Sequence, residues 1–156
     1  MNQNEKLELR NWDEVLAQLQ SLKTGEYQQL GAWNLSQCCG HLNQWLSFPM
    51  DGFPESETST KPTEAELAEG KKQLKTIIQD GFTPGIPTWP ATVPEPDSKN
   101  SPEAVAELTA TIKRFQEHAG PIHASPFFGE MDKEEVTQLQ FRHFAHHLSF
   151  YKQDAS

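Results

Sequence analysis

Residues 136–150 read "VTQLQFRHFAHHLSF" and hold three of the chain's six histidines, His143, His146 and His147. Val136, Leu139, His143, His146, His147 and Phe150 recur at spacings of three and four, the inward stripe of an amphipathic helix. Asp132, with Glu135 three residues on, predicts the start of that helix, and it is expected to run to about Lys152. Imidazoles thus stand where a bundle ordinarily carries Leu or Val. His143 and His147 are four apart, about 40° from each other around a helix axis, so their rings converge on one point. Histidines at this spacing bind zinc in H-E-x-x-H sites, although the glutamate of that motif is absent here.

A second stretch has the same character. Residues 31–50, "GAWNLSQCCGHLNQWLSFPM", contain no charged side chain. They predict a helix from about Asn34, with Asn34 and Gln37 as a capping box, to Phe48, ended by Pro49. Leu35, Cys38, His41, Leu42, Trp45 and Phe48 form its apolar stripe, with His41 inside it. Asn34, Gln37, Asn43 and Gln44 are too polar for a membrane span, so burial on several sides is the expectation. In a bundle two such stripes meet in the core. Buried imidazoles destabilise the fold unless each finds a partner, and a divalent metal satisfies several at once. The alternative is that His41 and one histidine of the last helix are hydrogen-bonded core residues, with the others exposed.

Three histidine ligands leave at least one coordination position open, as in catalytic rather than structural sites. Imidazoles suit Zn, Ni or Fe alike. His146, at the edge of the stripe, and Trp45 are candidates for contacting the ligands or a substrate. Cys38 lies one turn before His41. Either its sulfur reaches the site, or Cys38 and Cys39 are small core hydrophobes. His118 reads as a helix-terminus residue and His123 as a loop residue without a distinctive signal.

The rest of the chain is also helical. A first helix is expected from Asn11 to Lys23, with Trp12, Val15, Leu16, Leu19 and Leu22 on one face. A third runs from Thr63, boxed with Glu66, to about Gln79 and stops at Gly81. A fourth is capped by Ser101, carries Pro102 in its first position and closes at Gly120. Between the third and fourth, residues 81–98 hold five of the eleven prolines and cannot be helical. Their Phe82, Ile86, Trp89 and Val93 suggest a loop packed over the bundle, a lid over its mouth being one role. No segment alternates like a strand. The fold class is all-α: a four-helix bundle with long crossover connections and one extra, shorter helix.

Length and composition narrow the function. A chain of 156 residues, 35% hydrophobic, suits one domain over 1–156. A net charge of -9 without a Lys/Arg cluster argues against nucleic acid as a partner. The N-terminus, "MNQNEKLELRNW", lacks the apolar run of a signal peptide, and adjacent cysteines make a strained disulfide, so a cytoplasmic location is expected. Phosphate-loop spacings and the G-x-S-x-G elbow are absent from the sequence.

"WNLSQCCGHLNQW" followed much later by "QLQFRHFAHHLSF" resembles the DinB-like (YfiT-type) superfamily of metal-binding four-helix bundles. Within it, "WNLSQ" with His41-Leu42, "DGFP" and "PFFGEMDKEE" resemble the branch called domain of unknown function 1569. The resemblance spans about Trp33 to Phe150. It implies that His41, His143 and His147 bind a divalent metal at the mouth of the bundle. Characterised members include S-transferases that activate a low-molecular-weight thiol, and a maleylpyruvate isomerase; others carry the label of metal-dependent hydrolase. The resemblance therefore implies thiol transfer to a small-molecule electrophile, with hydrolysis by hydroxide on the metal as the alternative, and a non-catalytic metal- or ligand-binding bundle as the contrasting role. It also admits a homodimer, since dimers occur in the superfamily. Many members continue H-H-R-G-Q after the second ligand, where this chain reads His147-Leu148-Ser149-Phe150.

Overall fold

Across residues 7–53, 63–82, 92–95 and 99–153, which the computed structural model describes, the chain forms five α-helices. They are α1 (Trp12–Thr24), α2 (Leu35–Asp51), α3 (Glu64–Asp80), α4 (Glu103–Glu117) and α5 (Lys133–Leu148), α1 being the shortest at 13 residues. Ile86 and Trp89 of the proline-rich connection lie outside the described residues.

The helix starts follow from side-chain chemistry. Asn34 with Gln37, Thr63 with Glu66 and Asp132 with Glu135 close reciprocal capping boxes. Each satisfies two backbone N–H groups that the first turn leaves without partners. Asn11 caps α1 by accepting from the Glu14 N–H. At α4 the expectation shifts by one residue: Pro102 stands just before the helix, and the Ser101 hydroxyl accepts from the Glu103 N–H at 3.3 Å.

Three expected ends are corrected. Pro49 does not terminate α2, which continues to Asp51. A proline removes the N–H owed to the carbonyl four residues back, that of Trp45. Gln140 of α5 supplies the missing donor, its Nε2 reaching the Trp45 carbonyl at 3.3 Å. Gly52, in the left-handed region at φ 105°, ends the helix instead. α4 stops at Glu117, before Gly120, because His118 is already extended. α5 stops at Leu148 because Tyr151 and Lys152 (β2) pair antiparallel with Gln28 and Gln29 (β1). Two residues per strand are too few to leave an alternating pattern in the sequence.

Contacts at the helix ends set the directions. Ser36 bonds Asn100 and Ser101 where α2 and α4 begin, and Arg114 pairs with Asp51 where both finish. These two helices therefore run parallel and pack closely, with α3 returning the chain between them. α5 returns antiparallel: Lys133 reaches the carbonyls of Gln116 and His118, and Tyr151 reaches those of Trp33 and Asn34.

α5 is central. Beside the expected stripe it buries a second face, Phe141, Phe144 and Leu148. Trp12 meets Phe141, Phe144 and Phe115 edge-on, with ring centroids 5.0–5.8 Å apart. Val15, Leu19 and Leu22 of α1 and Leu108 and Ile112 of α4 complete that side of the core. Phe150, expected on the inward stripe, is 39% exposed because the helix ends two residues earlier. Among the described residues no helix is long and apolar enough to cross a membrane.

Candidate metal centre

His41 lies in the second turn of α2, while His143 and His147 lie in the last turns of α5. Because the two helices are antiparallel, all three meet where α2 begins and α5 finishes. One nitrogen from each lies within 4.8 Å of those of the others, a grouping that could hold a metal ion. His41 Nε2 is 3.2 Å from His143 Nε2. The ring centroids lie 4.6–5.1 Å apart and the planes are inclined by 63–80°, so edges rather than faces converge.

The hydrogen bonding of His41 fixes its tautomer. Its Nδ1 lies 3.0 Å from the Thr92 carbonyl, and a carbonyl only accepts, so Nδ1 carries the proton. Nε2 is thereby unprotonated, and its lone pair faces His143 Nε2. Metal-bound histidines commonly donate their second N–H to a backbone carbonyl in this way.

Electrostatics keep the cluster neutral. Burial pushes the pKa of His41 down against a smaller upward pull from its bond to Thr92. Burial lowers that of His143 strongly, and the neighbouring imidazoles add to the effect. For His147, burial with repulsion from His41 and His146 brings the value down to about 3. Burial also lowers that of His146. Among the described residues no carboxylate or cationic side chain contributes to these shifts, so near neutral pH the site offers uncharged imidazoles with lone pairs available.

This donor set fits a first-row divalent metal. Two nitrogens at about 2.0–2.1 Å from a tetrahedral zinc lie about 3.3 Å from each other, close to the Nε2–Nε2 separation here. Among the described residues no fourth protein ligand joins the three imidazoles, and an ion held by three ligands keeps a position for a small molecule.

Aromatic rings wall the cluster. Trp33, just before the Asn34 cap, stacks on His147 at 5.7 Å with planes 15° apart and tilts against His41 at 5.0 Å. Trp45 presents an edge to His143 at 5.9 Å. Phe82 packs against His143 and His146 at 5.3 and 5.7 Å. His146 is half-buried beside His147 and outside the ligand group.

Cys38 lies outside the ligand group. It is fully buried, and burial raises its pKa far above the ordinary thiol range. Cys39 is pushed up to about 12 by burial. Both behave as small core hydrophobes. His118 and His123 sit at the far end of the bundle, next to the terminus of α2 around Asp51 and Gly52.

Sequence reasoning missed Trp33 and Phe82 as walls and Thr92 as the partner of His41. The Trp-Asn-Leu-Ser-Gln run pointed at Trp33. A backbone carbonyl 51 residues away leaves no signal in side-chain patterns.

A family model described as Protein of unknown function (DUF1569) matches residues 1–154. No curated protein matches the chain, and no solved structure does.

Proposed function

This chain belongs to the family Protein of unknown function (DUF1569), and we propose that it is a metal-dependent enzyme that activates a low-molecular-weight thiol for transfer to a small electrophile. His41, His143 and His147 hold the divalent ion, Zn, Ni or Fe. The observation that carries this reading is the convergence of three neutral imidazoles, with His41 Nδ1 tied to Thr92 and its Nε2 turned inward. The resemblance of Trp33 to Phe150 to the DinB-like superfamily supports the choice of chemistry.

A divalent ion held there supplies Lewis acidity, which lowers the pKa of a bound thiol or water toward neutrality. The chain's own residues do the rest. Three uncharged ligands bring no negative charge, so the site favours an anionic partner such as a thiolate. Trp33, Trp45 and Phe82 present apolar faces that exclude water and suit an apolar substrate. Hydrolysis by hydroxide on the metal is the alternative; thiol transfer ranks ahead of it as the better-attested chemistry of the superfamily that residues 33–150 resemble.

The test is turnover by zinc-loaded protein with 2-mercaptoethanol or cysteine and an activated aryl halide, with and without a chelator. Thiol consumption and halide release that need both metal and protein are expected. Ester hydrolysis without thiol would replace this reading with a hydrolase. A protein that binds metal and turns over neither substrate class would contradict enzymatic function.

A further inference from the structure

The connection between α3 and α4 returns to the first turns of α2, and three side chains there grip its backbone. The Ser36 hydroxyl donates to the Ser101 carbonyl at 2.9 Å and accepts from the Ser101 N–H at 2.6 Å. Gln37 Nε2 donates to the Glu95 carbonyl at 2.9 Å. His41 Nδ1 donates to the Thr92 carbonyl at 3.0 Å. Gln37 and His41 are four residues apart and so share a helix face, while their acceptors are three residues apart on one short segment.

We propose that Gln37 is a positioning residue for His41, acting through the backbone of residues 92–95, so that docking of this segment and metal binding at His41 are linked. The inference rests on the metal reading above. The Gln37 amide has little freedom. Its Oε1 accepts from the Asn34 N–H at 2.8 Å to close the capping box, which leaves Nε2 to hold Glu95. Holding Glu95 places the Thr92 carbonyl over His41. Thr92 is fully buried, so bulk water does not stand in for its carbonyl. The carbonyl in turn keeps the His41 proton on Nδ1 and the lone pair on Nε2, facing His143 Nε2.

Linkage follows from reciprocity. If docking of residues 92–95 favours the ligating tautomer and orientation of His41, occupancy of His41 by metal favours docking by the same factor. The metal and the docked residues 92–95 therefore stabilise each other.

Gln37→Glu separates this role from helix capping. Glutamate still accepts from the Asn34 N–H but has no N–H for the Glu95 carbonyl. The full-length protein is titrated with zinc against a chromophoric chelator, and the metal-free protein is examined by long-range ¹⁵N NMR of its imidazoles. In the variant, helix content close to wild type is expected. Zinc affinity is expected to fall roughly 10-fold or more, the usual effect of removing a contact that orients a ligand. His41 is expected to be the Nδ1–H tautomer in wild type and a mixture in the variant. Zinc affinity unchanged by Gln37→Glu would overturn the linkage alone, whereas a wild type that binds no zinc would contradict the metal reading itself. Hydrogen exchange of the wild-type Val93 and Glu95 amides adds a measurement free of the variant. Exchange slowed on zinc addition supports the linkage, and exchange unaffected by bound zinc overturns it.

Discussion

At the scale of single residues, the histidines differ from most core side chains in that their burial depends on a proton. His147 has a pKa of about 3 when folded, against an ordinary 6.5, and those of His41 and His143 are lowered in the same direction. Between the two values the unfolded chain binds more protons than the folded one, so stability rises with pH across that window. It is fully present above 6.5 and drains away as pH falls toward 3. The metal-free protein should therefore weaken below pH 6.5, each histidine contributing a slope of up to about 1.4 kcal/mol per pH unit. Urea unfolding at a series of pH values checks this, and His147→Ala should flatten the dependence. His41, His143 and His147 were legible in the sequence because side-chain spacing alone puts them on inward faces. Thr92 was not, because its part is played by a carbonyl, which every residue has. Phe82 was legible as apolar but not as a wall, since its partners belong to a distant helix.

At the scale of elements, agreement was best where local chemistry decides and poorest where a neighbouring helix intervenes. The capping boxes at Asn34, Thr63 and Asp132 are complete within four residues and could be read directly. Pro49 could not, because the donor to the Trp45 carbonyl comes from the Gln140 amide of α5. Gln140→Leu should destabilise the protein by about 1–2 kcal/mol in urea unfolding, for the loss of its hydrogen bond to the Trp45 carbonyl. The effect is held to that range because leucine also removes the Gln140 Oε1, which has no hydrogen-bond partner among the described residues. Gly70 of α3 is a second hidden constraint. A Cβ there would overlap the Phe127 carbonyl, where Ser125–Gly129 forms a tight loop against the helix. Gly70→Ala should cost about 1–3 kcal/mol, as overpacking generally does. At the other end of α3, Arg142 of α5 donates to the carbonyls of Ile78 and Gln79, which the last turn leaves without partners.

At the scale of the whole molecule, the antiparallel return of α5 past α2 brings residues 102 positions apart into one cluster. α1 and α4 cover the opposite face of α5, through Trp12 and Phe115. The all-α class was legible because helical periodicity pervades the chain; the close parallel pairing of α2 with α4 was not, since periodicity does not say which helices pack side by side. A metal that binds only the folded chain should stabilise all of it. At a free concentration about 1,000 times the dissociation constant the gain is about 4 kcal/mol, so thermal midpoints should rise with added zinc and fall with chelator. The central claim is that His41, His143 and His147 form a metal site, and its most direct test is elemental analysis of the protein purified without a histidine tag, beside His143→Ala and His147→Ala. Near-stoichiometric metal in the wild type, lost from both folded variants, is the expected result; a wild type that takes up no metal even after reconstitution with Zn, Ni and Fe would contradict it.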